Sequence, residues 1–76
     1  MVQDKLKQDK IKIWRDKLEA LDKEYKETMQ QRGEAAAMGD LRENIAYQMA
    51  TEKGEVLSAR MSDIQKMIRE LEDGKA

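Results

Sequence analysis

Apolar residues in the first half of the chain recur at Ile11, Trp14, Leu18, Leu21, Tyr25 and then Thr28 or Met29, in steps of three and four. That spacing is an a/d heptad seam, the stripe an α-helix turns toward a partner helix. The seam runs on less cleanly through Arg32 to Ala35 and Ala36. A second seam, Tyr47, Ala50, Gly54, Leu57, Met61, Ile64, Ile68 and Leu71, keeps the same steps throughout. Alternation of the strand type is nowhere sustained. Between the seams lie Met38, Gly39, Asp40, Leu41, Arg42 and Glu43. Gly39 suits the left-handed position that ends a helix. Asp40 suits the N-cap of the next, with Glu43 three residues on as in a capping box. The pattern predicts one helix from about residue 4 to 37, a tip over 38–43 and a second helix from about 41 to 72, ending near Gly74. Each helix would be roughly 45–50 Å long at a rise of about 1.5 Å per residue. The short link favours an antiparallel pairing. The expected fold class is therefore all-α, with two long helices forming an antiparallel coiled-coil hairpin that takes in residues 1–76 as one domain.

Composition agrees with this picture and narrows it. Charged residues make up 41% of the chain and apolar ones 39%, with proline absent. Ala, Leu, Met, Glu, Lys, Gln and Arg, all strong helix formers, dominate. The charges are mixed rather than blocked, which argues against disorder. Phe is absent and there is one Trp, so the chain lacks the bulk for a conventional globular core. Two helices give one thin seam. Such a hairpin is marginal alone and gains stability from weak self-association or from docking on something larger; the same seams would also build a four-helix dimer. Gly33 costs about 1 kcal/mol relative to alanine inside the first helix. Gly54, on the second seam, is placed to let the two backbones approach closely.

Charge and residue types exclude several classes of function. Fifteen basic and 16 acidic residues leave a net charge of −1, no excess that would make nucleic acid or a membrane surface the main partner. Without cysteine or histidine there is no disulfide framework, thiolate or imidazole metal site, or histidine-dependent triad. No apolar run approaches the roughly 18–20 residues that span a bilayer. The opening stretch MVQDKLKQDK has no apolar signal core, so a soluble, cytoplasmic protein is the expectation.

The bend carries the chemistry. Asp40 and Glu43, three residues apart, are expected on one face of the first turn of the second helix, at the apex of a rod. One reading is a capping box, worth about 1 kcal/mol and requiring no further role. The other is divalent cation binding, because hard cations such as Mg²⁺ take oxygen ligands in octahedral geometry. Two carboxylates cannot supply six ligands, so such a site would be completed by a partner that already holds metal. The two roles compete for Asp40 more than for Glu43.

Gly39-Asp40-Leu41-Arg42-Glu43-Asn44, followed by Tyr47, resembles the tip signature of bacterial transcript cleavage factors of the Gre type, G-D-L-(K/R)-E-N-x-x-Y. The resemblance extends over about residues 34–71, taking in Glu34-Ala35, Glu52, Lys53 and the stretch from Ser58 to Ile64. It implies the N-terminal coiled-coil domain of those elongation factors, a hairpin that enters the secondary channel of bacterial RNA polymerase. Asp40 and Glu43 would then help hold a Mg²⁺ ion and its attacking water, shared with the polymerase and not bound tightly by the free protein. The polymerase would hydrolyse its own backtracked RNA, so the chain would be an activator in trans and not an enzyme. The implied partners are bacterial RNA polymerase and the 3′ end of the nascent RNA, with no membrane. Among the remaining tip residues, Leu41 would pack the tip, Arg42 contact a phosphate or the polymerase, Asn44 hydrogen-bond at the tip, and Tyr47 brace it or touch the RNA end.

Two departures from that family pattern generate alternatives. Nothing in the chain corresponds to the family's C-terminal anchoring domain. The basic patch near the tip is thin, with Arg32, Arg42 and Lys53 as its cations. A channel binder that inhibits the polymerase or competes with Gre factors is the second reading, and a structural helical hairpin or dimerisation module the third. Lys5, Lys7, Lys10, Lys12, Arg15 and Lys17 give the base of the first helix a basic character, expected to be a solvated face. Met38 and Met49 are expected to fill the core near the bend, and Trp14 to pack on the seam.

Overall fold

A computed structural model describes residues 2–74. Helix α1 spans Val2–Ala36 and helix α2 spans Ile45–Glu72, and the two pack along each other with no strand among the described residues. The molecule is a rod of 58 × 17 × 12 Å. Its radius of gyration is 17.0 Å, against about 11 Å for a compact globule of this length. Thirty-five residues of α1 account for about 52 Å of that long axis at 1.5 Å per residue.

Both predicted seams face each other. Ile11, Thr28, Ala35, Ala50, Gly54, Leu57, Ile68 and Leu71 are buried, and the other seam residues are half-buried. At the open end Ile11, Ile68 and Leu71 form a cluster with Trp14, Leu18 and Ile64 packed against it. Trp14 has the packing role expected of it, and the Lys17 ammonium lies 4.7 Å from its ring centroid. Among the described residues Thr28 is the most deeply buried polar one. Its Oγ1 donates to the Glu24 carbonyl at 2.8 Å, one turn back, so its buried hydroxyl is satisfied.

Interhelical polar contacts flank the apolar stripe. Arg15 pairs with Glu72, and Lys7 Nζ donates to the Glu72 carbonyl at 3.1 Å, closing the open end. Midway, Lys53 pairs with Glu24 at 3.3 Å. These pairs are largely exposed, and such pairs are worth about 0–1 kcal/mol each, so the seam carries the association.

Gly54 does admit a close approach, though by a different group from the one its position suggests. A methyl at Gly54 would overlap Met29 Cε, the flexible end of a side chain, and not the backbone of α1. At the C-terminus α2 ends at Glu72. The Asp73 and Gly74 amides donate back to Arg69 and Leu71, and Gly74 takes a positive φ.

Candidate functional site

The helices are joined by eight residues, 37–44. Helix α2 begins at Ile45, later than the position near 41 that the Asp40/Glu43 spacing predicts. Asp40 is not its N-cap. The Asp40 carboxylate accepts from the Arg42 amide at 3.0 Å and its carbonyl accepts from the Glu43 amide at 3.3 Å, so residues 40–43 close a turn of their own. Asn44 is the N-cap: its backbone is extended and its Oδ1 accepts from the Tyr47 amide at 3.0 Å.

The physical reason for the displacement is the other half of the Asn44 amide. Nδ2 donates to the Ala35 carbonyl at 2.7 Å, among the last carbonyls of α1. A carboxylate can accept from the start of α2 but cannot donate to the end of α1; a carboxamide does both. Asn44 thus ties the C-terminus of one helix to the N-terminus of the next. The Ala35 carbonyl also accepts from the Met38 amide at 3.0 Å. Gln48 Nε2 donates to the Arg42 carbonyl at 2.9 Å, tying the turn down onto α2.

Gly39 has φ +144°, a region readily open only to glycine, and nothing would crowd a side chain there. Its requirement is backbone conformation, needed for the chain to leave α1 and enter the 40–43 turn.

Asp40 and Glu43 are exposed at the apex of the rod and line one shallow hollow with Met38, Gly39 and Asn44. Together they offer hard oxygen donors, one of them already committed to the Arg42 amide. No group of three or more acidic, histidine or cysteine side chains placed to hold a metal exists among the described residues. Two such carboxylates have the chemistry for part, and not the whole, of an octahedral Mg²⁺ ligand set.

The remaining tip residues divide. Tyr47 is half-buried and braces the hairpin, its hydroxyl accepting from Arg32 at 2.6 Å. Arg42 is exposed, with its backbone engaged on both sides. Leu41 does not pack the tip: it is 44% exposed. Met38 and Met49 do not fill the core either, at 84% and 65% exposed. The loop carries Met38 beyond the end of α1, and Met49 lies on the flank of α2, next to the seam residue Ala50. Ile45 is exposed as well, and Met38 is the large apolar side chain that lines the hollow with the acidic pair.

Sequence reasoning placed Arg32 near the tip as a cation but missed its partners across the seam. Its guanidinium does not face out as a phosphate contact. Nε donates to Thr51 Oγ1 at 2.8 Å, a second nitrogen donates to the Tyr47 hydroxyl, and Cζ lies 4.8 Å from the Tyr47 ring centroid. The available signal was a charged residue at a seam position, opposite a tyrosine and a threonine.

The family model described as "Transcription elongation factor, N-terminal", for the GreA/GreB type, matches residues 5–72. No curated protein and no solved structure matches the chain.

Proposed function

We propose a function from the premise that this chain belongs to the GreA/GreB-type family of transcription elongation factor N-terminal domains: it inserts into the secondary channel of bacterial RNA polymerase and stimulates cleavage of backtracked RNA. The observation that carries this reading is the exposed pair Asp40 and Glu43 at the apex of a rod 58 Å long. A narrow rod reaches an enclosed catalytic centre that a globule of equal mass cannot. Two carboxylates without a third suit a site whose other ligands belong to the polymerase. When bound there, Mg²⁺ lowers the pKa of an attacking water and offsets charge on the phosphoryl group. Asp40 and Glu43 would supply oxygen ligands to it, and the hairpin sets their distance from its base. The chain then acts in trans, and the hydrolytic activity remains the polymerase's own.

The test is transcript cleavage in a stalled, backtracked bacterial elongation complex with Mg²⁺, with and without excess protein. Short 3′ RNA fragments should appear faster with the wild-type chain and not with the Asp40→Asn/Glu43→Gln double variant. Both substitutions keep side-chain volume, and neither residue caps α2, so helicity should persist. Unchanged cleavage with the wild-type chain sinks the reading.

One observation favours a second reading, a channel binder that inhibits. Of the three cations near the tip, Arg32 is turned into the seam and Lys53, though exposed, pairs with Glu24, so the positive charge offered to RNA phosphates is thin. Under that reading nucleotide addition slows in the same reactions while cleavage stays at its basal rate.

A further inference from the structure

We infer that Arg32 is a positioning residue for the acidic tip, holding Asp40 and Glu43 in place through Tyr47, Thr51 and Asn44; this rests on the cleavage reading above. Arg32 occupies a seam position and is half-buried. A guanidinium brought into a seam loses hydration and must be repaid by well-aligned acceptors. The partners it has are neutral groups of α2, two hydroxyls and a ring face. The planar fork serves both hydroxyls at once, which a single ammonium could not do in the same geometry.

The two acceptors are themselves built into α2. Thr51 Oγ1, while accepting from Arg32, donates to the Tyr47 carbonyl at 2.9 Å. Tyr47 in turn gives its amide to Asn44 Oδ1. Arg32 therefore pins the opening turns of α2 against α1, and Asn44 passes that registration to the loop from its place between Tyr47 and Ala35. Asp40 and Glu43 have no packing of their own to hold them: they are exposed, on a loop flanked by exposed Met38, Leu41 and Ile45. Their placement is set by where α2 starts relative to α1. A ligand pair serving a metal held by another protein must be placed to within about 0.5 Å, and a misplacement of about 1 Å can cost on the order of 100-fold in rate. The energetic role of Arg32 is then exerted on rate at the partner's centre and only slightly on the seam.

The experiment uses the full chain with Arg32→Met, which keeps length and helix propensity but removes every donor, and with Arg32→Lys and Tyr47→Phe. Two quantities are read from transcript cleavage: the maximal rate at saturating protein and the protein concentration giving half of it. Amide hydrogen exchange in the free protein is the third readout. Arg32→Met should lower the maximal rate about tenfold or more and change the half-saturating concentration less than about twofold. Exchange of the Tyr47 amide should accelerate about tenfold while that of Ile68 stays unchanged, because opening is local to the tip. Arg32→Lys should restore little of the rate, and Tyr47→Phe should fall between Arg32→Met and wild type. An unchanged maximal rate overturns the proposal. So does a loss confined to the half-saturating concentration, which would make Arg32 a partner contact. Accelerated exchange along both helices alike would make it a plain stabiliser and overturn the proposal too. If the wild-type chain itself stimulates no cleavage, the functional reading fails first, an outcome distinct from an active wild type with an equally active Arg32→Met.

Discussion

Replacing Asn44 with alanine removes two hydrogen bonds at once, one at each helix end. The first is the N-cap bond from the Tyr47 amide to Oδ1 at 3.0 Å. Losing such a cap costs about 1 kcal/mol, within a range of about 0.5–2. The second runs from Nδ2 to the Ala35 carbonyl at 2.7 Å. Net, a bond of that kind contributes about 0.5–1.5 kcal/mol. Since the Ala35 carbonyl keeps the Met38 amide as a donor, no buried acceptor is orphaned and the lower part of that range applies. Asn44→Ala should therefore cost about 1.5–2 kcal/mol, which for a domain of this size lowers Tm by about 10 °C. Asp40→Ala removes one exposed bond, to the Arg42 amide, and should cost about 0.5 kcal/mol or less. Asn44→Asp keeps the acceptor and places negative charge at the N-terminus of α2, where it is favourable, but loses the donor and sets a carboxylate oxygen against the Ala35 carbonyl. It should fall between the other two. The assay is urea and thermal denaturation followed by circular dichroism at several protein concentrations, so that any self-association is seen as a concentration-dependent midpoint. If Asp40→Ala costs as much as Asn44→Ala, or more, helix α2 starts at Leu41 and the account of the tip is wrong.

Two further outcomes follow from the same packing. The glycines of the tip region should respond with opposite signs. Gly33→Ala, at an exposed helix position with open space around it, should raise stability by about 0.5–1 kcal/mol. Gly39→Ala, at φ +144°, should lower it by about 1–3 kcal/mol; equal signs in chemical denaturation would refute the assigned backbone. Leu57→Ala removes a side chain that is only 3% exposed midway along a single seam, and should cost about 2–3 kcal/mol, enough to leave a large unfolded fraction by circular dichroism at 37 °C. A loss below about 0.5 kcal/mol would mean that Leu57 is not in the interhelical seam.

The two seams were legible because a helix repeats its stripe locally. Each apolar position from Ile11 to Tyr25 and from Leu57 to Leu71 announces its face by its distance from the one before it, with no reference to the partner. That Asp40 and Glu43 lie together at the bend was legible from their spacing of three residues beside a glycine. What the pattern could not decide was which residue starts α2. The sequence reading takes Asp40 with Glu43 as the start, although asparagine is as good an N-cap by local preference. The choice falls to Asn44 because the last carbonyls of α1 lie within reach of its Nδ2, and their position exists only once the helices are paired. The exposure of Met38 has the same origin, whereas Met49 is exposed because it lies beside the seam and not on it. An apolar side chain near a bend is buried only if the opposing helix reaches it, and α1 ends at Ala36. Arg32 is the clearest case. In the sequence it is an interruption of the seam and a candidate phosphate contact. In the folded hairpin it faces the Tyr47 and Thr51 hydroxyls of the other helix, and a cation between two such acceptors is set by where the chain returns, a through-space relation between residues 15 and 19 positions apart that no local period encodes.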